Sequence, residues 1–294
     1  MTNSRAKRVF SVNSWGFVLP ALLFVAAFIL YPVIKSLWFS FHSGQGAMIK
    51  FVGLNNFFRL TYDPVFHKAL SNTLTFLIIQ VPIMILLALI LASTLNIPGL
   101  RARGFWRTAI FLPCVTSLVA YSVLFKSMFS YDGVINHLLV GIGIISEPIA
   151  WLADPFWAKV VIITAITWRW TGYNMIFYLA ALQNIDKSIY EAARIDGISS
   201  IRQFFSITVP MLKPVILFTS VTSTIGTLQL FDEPMNITLG GPADSTLSLS
   251  MYIYNLSFKF MPNFGYATTV SYFIVFMVAI LAVIQFWLAR ERNI

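Results

Sequence analysis

Residues 72–95 read NTLTFLIIQVPIMILLALILASTL. No ionisable side chain interrupts the run, and about 20 apolar residues suffice to carry a helix across a bilayer. Its apolar character is continuous rather than alternating, which argues against the strands of a membrane barrel. Pro82 falls inside it, and membrane helices tolerate such prolines better than soluble ones. This stretch makes lipid the solvent of the fold.

The rest of the chain agrees. Hydrophobic residues make up 58% of the 294 residues and charged residues only 11%, against roughly 25% charged in a soluble domain. Six spans are expected, at 15–37, 72–95, 108–129, 157–181, 214–232 and 265–289, with prolines 20, 82 and 113 inside them. The fold class is therefore an all-α polytopic membrane protein with six transmembrane helices. The basic start MTNSRAKRVFSVNSW resembles the front of a signal peptide, but Pro32 and Lys35 follow where a small-residue cleavage site would stand, so an uncleaved first span is expected. The net charge of +9 comes from Lys and Arg scattered over short loops. No basic stripe or zinc-finger spacing points to nucleic acid.

Orientation follows from the cationic residues near the span ends. With the N-terminus inside, twelve of the 20 Lys and Arg residues fall on inner segments. The expected layout is a cytoplasmic tail at 1–14, a transmembrane domain at 15–289 and a cytoplasmic tail at 290–294. A polar loop at 182–213, between the fourth and fifth spans, then faces the cytoplasm.

That loop contains YEAARIDGISSIRQFFSITVP, residues 190–210. Ser188-Ile-Tyr-Glu191 and Ser200-Ile-Arg-Gln203 each fit a capping box, in which Ser accepts from a backbone N–H and Glu or Gln reaches back. Gly197 is placed to end the first helix in a left-handed turn, and Pro210 and Pro214 mark the far boundary. Two short helices are expected, roughly 189–196 and 201–208. Ile189, Ala192 and Ala193 share one face of the first; Ile201, Phe204 and Phe205 share one face of the second. Helices of about two turns are not stable alone in water. Each must rest on its own membrane domain, on lipid headgroups, or on a separate protein.

Here the chain resembles the permeases of ABC importers. Their EAA motif runs Glu-Ala-Ala, three residues, Gly, nine residues, then Ile-x-Leu-Pro. This chain has Glu191-Ala192-Ala193, Gly197 and Ile207-Thr208-Val209-Pro210, with Val209 in place of the leucine. Asp196 and Phe204/Phe205 suit the carbohydrate branch (maltose, glycerol-3-phosphate and lactose systems). So do FVGLNNF (51–57), WRWTGYNMIFYLAALQNID (168–186) and TLGGPADST (238–246). The resemblance implies a coupling helix pair between spans four and five, seated in a cleft of a cytoplasmic ATPase. It implies that Glu191, Ala192, Ala193, Asp196, Gly197, Ile207 and Pro210 serve that docking. It also implies a second permease subunit, expected to be a different chain, two ATPase subunits that hold ATP and Mg, and an extracytoplasmic solute-binding protein. The implied setting is the bacterial cytoplasmic (inner) membrane.

Other chemistry is missing from the sequence. There is no GxxxxGK[S/T] phosphate loop, no HExxH, no GxSxG elbow, and no metal-ligand spacing among His42, His67 and His137. The chain is thus expected to be a transport subunit rather than an enzyme, with no cofactor or metal of its own. Cys114, the single cysteine, lies in an apolar run and reads as packing. The alternative is an ion-coupled secondary transporter, which would hold ionisable groups inside its spans. Only Arg169 lies well inside one. Snorkelling between Trp168 and Trp170 is expected of it, with solute contact as the other reading. For the solute path the candidates are Tyr173, Asn174, Gln229, Asp232 and Glu233, although helix–helix hydrogen bonding would account for any of them. A sugar is the expected cargo, and a phosphorylated polyol stays open.

Overall fold

The computed structural model describes residues 15–44 and 49–290. The tails expected at 1–14 and 290–294 lie, Arg290 apart, outside the described residues. Helices dominate, and one two-residue antiparallel pair is the only sheet among the described residues. The chain divides into two compact units, Met1–Tyr62 with Ile253–Tyr272, and Asp63–Tyr252 with Phe273–Ile294.

In the first unit, helix α1 (Trp15–Ser40) has a π-helical turn at Ala26–Leu30, just before Pro32. A proline ring collides with the carbonyl four residues back, and one wide turn relieves that collision. The pair β1 (His42–Ser43) and β2 (Lys50–Phe51) leads to the short α2 (Asn55–Arg59). Asn56, from the stretch FVGLNNF, is buried and donates to the carbonyls of Ser40 and His42, both at 2.9 Å. It thereby satisfies the carbonyls that the end of α1 leaves open. Gly265 lies so near this corner that a Cβ would sit 1.8 Å from the His42 carbonyl oxygen.

The second unit is built around α7 (Pro155–Leu182), which packs against α3 (Pro64–Leu95), α4 (Arg103–Val115) and α10 (Lys213–Leu228). Helices α3 and α7 begin alike. Asp63 accepts from the amides of Val65 and Phe66, Asp154 from those of Phe156 and Trp157, and a proline follows each cap. An acidic cap followed by proline suits the end of a helix where N–H groups have no internal partner. Two of the connections between helices are tied by asparagines. Asn136, in α6 (Val134–Gly141), bonds to Tyr131, Ile149 and the Trp151 indole, while Asn72 holds the carbonyls of Asp244 and Leu247. The latter pair fixes the stretch TLGGPADST against α3.

Two spans differ from their sequence expectation. The segment 108–129 is not one helix: α4 and α5 (Leu118–Met128) meet at Thr116–Ser117 with a bend of 99°. Pro113 lacks the N–H that would continue the ladder, the Thr116 hydroxyl bonds back to its carbonyl, and Thr116 turns extended. The fifth span begins in a bent pair, α9 (Ser200–Met211) meeting α10 at 72°. Among the described residues three helices, α1, α3 and α12 (Phe264–Ala289), are long and apolar enough to cross a membrane, and the bent pairs raise this to five if each is one span. Helix α7 is long enough but is not among them. Lys159, Arg169 and Asn174 interrupt its apolar character, and much of its surface is buried in protein. The short α11 (Leu249–Tyr254) precedes α12.

Helices α4 and α7 touch through backbone at Gly172. A Cβ there would sit 2.0 Å from the Ile110 carbonyl oxygen, the kind of approach that small residues permit between membrane helices. Gly172→Val should therefore remove most folded chain from the membrane fraction. Gly104→Ala, at a site with nothing within 4 Å, should leave the yield unchanged. Fluorescence-detected size exclusion of detergent extracts compares the two.

Candidate functional site

The stretch 186–211 forms two helices set against each other, α8 (Lys187–Ile195) and α9. The left-handed turn between them is as expected: Gly197 has φ +71°. The Ile198 amide donates to Ala193 O at 2.9 Å and the Gly197 amide to Arg194 O at 3.0 Å. This paired closure is the glycine-terminated helix end. A Cβ on Gly197 would meet nothing within 4 Å, so backbone conformation and not space demands glycine.

The capping boxes are not formed. Asp186, not Ser188, caps α8 by accepting from the Ser188 amide at 2.9 Å. That backbone bond, with a further one from the Ser188 side chain, holds the exposed Asp186 carboxyl below the usual carboxylate range. The cap is intact above that lowered value and is lost as pH falls through it. Ser199, one residue earlier than expected, caps α9 towards the Arg202 amide at 3.4 Å, and Gln203 donates to Ile198 O instead of reaching back. An aspartate two residues upstream outcompetes the serine, because a charged acceptor binds the orphan amides more strongly. The second helix also runs on past residue 208 to Met211, through a π turn at Phe204–Thr208 ahead of Pro210.

The expected faces are redistributed. Ala193 is buried while Ala192 is exposed, so the two alanines do not present one surface. Phe204 packs inward on the cluster around Leu182 and Leu212. Ile195 is 87% exposed, Ile201 75% and Phe205 62%. Exposed Glu191 and Asp196 share α8 and its end with Ile195. The Tyr190 hydroxyl meets that of Thr208 at 3.0 Å and joins the two arms. Ile207 is half-buried and Pro210 exposed. Beside this hairpin opens a cavity of about 590 Å³, lined by Asn96, Arg103, Lys187, Glu191 and Arg194 among others.

The five solute-path candidates differ in burial. Tyr173 and Gln229 are exposed and Asp232 half-buried. Asn174 is buried, donating to Trp170 O, and Glu233 is buried. Arg169 does not snorkel. It is buried at 7% exposure, with its guanidinium carbon 5.1 Å from the Tyr121 ring centre and 5.5 Å from that of Trp170. Its Nε and Nη1 have no hydrogen-bond partner among the described residues, and the Glu233 carboxylate is within electrostatic reach. The sequence reading missed the contact of Tyr121 with Arg169, since residues on separate helices give no spacing signal. It also missed a run of rings, Trp170, Tyr173 and Phe177, continued by Phe218 on α10. The spacing i, i+3, i+7 on α7 could have revealed the first three.

Residues 101–291 match the family described as binding-protein-dependent transport system inner membrane component. The lactose transport system permease protein LacF of Rhizobium radiobacter is 65% identical over 99% of both chains. The arabinooligosaccharides permease AraP of Halalkalibacterium halodurans is 31% identical, covering 97% of this chain and 92% of that one. The fold is similar to a solved bacterial ABC transporter involved in the import of the acidic polysaccharide alginate, with TM-score 0.81, 24% identity and 98% of each chain covered.

Two buried groups that act on one another lose less together than the sum of their single losses. Arg169→Met and Glu233→Gln should each lower the thermal unfolding midpoint of the purified protein, and the double variant should lie well above the sum of the two losses. Additive losses would show that the groups do not interact.

Proposed function

The chain belongs to the family of inner-membrane components of binding-protein-dependent transport systems, and from that membership we propose that it supplies half of the translocation path of an ATP-driven carbohydrate importer. The path is completed by a second permease, expected to be a different chain. Energy comes from two ATPase subunits holding ATP and Mg, and solute from an extracytoplasmic binding protein. The chain crosses the bacterial inner membrane six times, with α7 and each bent pair counted as one crossing and both termini inside.

The observation that carries the coupling role is the hairpin at 186–211. Ile195, Ile201 and Phe205 are exposed on a polar loop beside Glu191. Apolar side chains left in water around a carboxylate suit a protein partner that covers them and pairs with the charge. Docking is assigned to Glu191, Ala192, Asp196 and the exposed apolar residues. Ala193 and Gly197 shape the hairpin from within, and Ile207 and Pro210 join it to α10. Identity to a lactose permease makes lactose the first solute to test. One feature favours the ion-coupled alternative, the buried Arg169 and Glu233, since such transporters hold ionisable groups within their spans. Uptake that stops with vanadate and ignores protonophores favours the ATP-driven reading, and the reverse pattern favours the alternative.

Glu191→Lys and Ile201→Asp alter exposed positions, so membrane levels should stay normal. In a deletion strain complemented with either variant, lactose uptake should fall by about tenfold or more, matching loss of one interface hot spot. The ATPase should no longer co-purify. Normal uptake would count decisively against docking here. Gly197→Pro should act likewise, because proline cannot adopt φ +71° or donate to Arg194 O.

A further inference from the structure

We propose that the cavity beside the coupling hairpin holds the phosphate headgroup of an anionic phospholipid whose acyl chain lies along α3, an inference that takes its topology from the permease reading above. Lys187, Glu191 and Arg194 recur at i, i+4, i+7 on α8, and all three line the cavity. Arg103 lines it from the start of α4. Three cations and one carboxylate leave the wall a net charge of +2. Among the described residues Arg103 donates to Ile97 O, whereas the side chains of Lys187 and Arg194 have no hydrogen-bond or ion-pair partner, Glu191 included. Ser93, in the last turn of α3, lines the same space with a buried Oγ that has no partner among the described residues. Unpaired cations beside a hydroxyl donor match a phosphate, whose oxygens accept charge-assisted hydrogen bonds.

The surface of α3 supplies a place for the tail. Ile83, Leu86, Leu87 and Ile90 follow at i, i+3, i+4, i+7 and share one face. Ile97, just past the helix end, carries the line to the cavity wall. Each of the five is between 41% and 53% exposed. Thr94, the one hydroxyl on this line, donates to Ile90 O at 2.8 Å and needs no partner from outside. A free phosphate would fill the cavity and leave the apolar stripe bare. A partner helix would cover the stripe and leave the cations unpaired. A phospholipid satisfies both.

The depth agrees. The apolar run 72–95 ends where the cavity begins, and Phe105 and Trp106 are exposed just after Arg103. Aromatic side chains of this kind gather at the headgroup level of a bilayer, and basic pockets at the cytoplasmic ends of membrane helices bind anionic headgroups. A headgroup held there would tie α8 to the start of α4. The hairpin would be anchored through its cationic face, while Ile195, Ile201 and Phe205, which do not line the cavity, stay free for the ATPase.

The test uses the full chain in phosphatidylcholine vesicles, with a bimane label on Ile90→Cys in a Cys114→Ser background. The probe is brominated phosphatidylglycerol as a minor component, and the reference is brominated phosphatidylcholine at the same fraction. Quenching by the probe should exceed the reference. Lys187→Gln should weaken the apparent affinity for phosphatidylglycerol by about fivefold, and Lys187→Gln with Arg194→Gln by about thirtyfold, at the usual size of one cationic contact each. Lys187→Arg with Arg194→Lys, which preserves both charges, should keep the excess. Equal quenching by the two lipids would mean ordinary boundary lipid, and quenching by neither that protein covers the stripe; each overturns the proposal. So does an excess that survives in the double Gln variant, or one that inorganic phosphate abolishes, since the cavity then takes a free anion. The measurement is repeated on the chain assembled with the second permease and the ATPases. Loss of the excess on assembly would make the cavity an ATPase seat and overturn the lipid site. A chain that never assembles overturns the permease reading, while the excess in the chain alone still decides the headgroup site.

Discussion

Hydrocarbon offers no hydrogen bonds, so a chain within it must satisfy its backbone from within. That constraint selects helices for most described residues, and it explains the devices at their ends. Asp63 and Asp154 cap α3 and α7 where N–H groups would be left over. Asn56 collects carbonyls at the end of α1, and Thr116 closes on Pro113 where α4 stops. Cross-helix side-chain bonds extend the same economy, as between Thr227 and Gln80 and between Gln285 and Thr224.

What the constraint does not supply is adhesion between helices, since apolar side chains gain little by leaving lipid for one another. Close backbone contact and buried polar groups take that part. Gly172 lets α4 reach α7, and α7 carries Arg169, Thr171 and Asn174 in its buried surface. The most polar long helix of the second unit is thus its central one. A hydropathy scale undervalues α7 for the same reason, because it counts Arg169 and Lys159 without knowing which neighbours surround them.

Legibility in the sequence follows this division. The apolar run at 72–95 and the final span were readable because they face a uniform solvent. The turn at Gly197 was readable because only glycine takes φ +71° without strain. The caps were misplaced by one or two residues, since Asp186, Ser188, Ser199 and Ser200 are all acceptable acceptors and tertiary packing chooses among them. The break at Thr116–Ser117 was not foreseen. Pro82 sits unbroken within α3 while Pro113 ends α4 soon after, so proline alone does not decide. The contact of Arg169 with Tyr121 joins separate helices and has no local signature. Of the candidate site, the hairpin was legible as a unit. Its division into buried Ala193 and exposed Ala192 was not.

The 72° joint between α9 and α10 has a mechanical meaning. At about 1.5 Å per residue, Ser200–Met211 is an arm of roughly 18 Å and Lys213–Leu228 one of roughly 24 Å. With the angle held at Leu212, the pair is a crank whose arms differ by only about a third. Tilting the short arm by about ten degrees moves its far end by about 3 Å and the far end of α10 by about 4 Å, by the same helix geometry. A displacement applied at the far end of α9 would be passed on almost undiminished and almost unamplified.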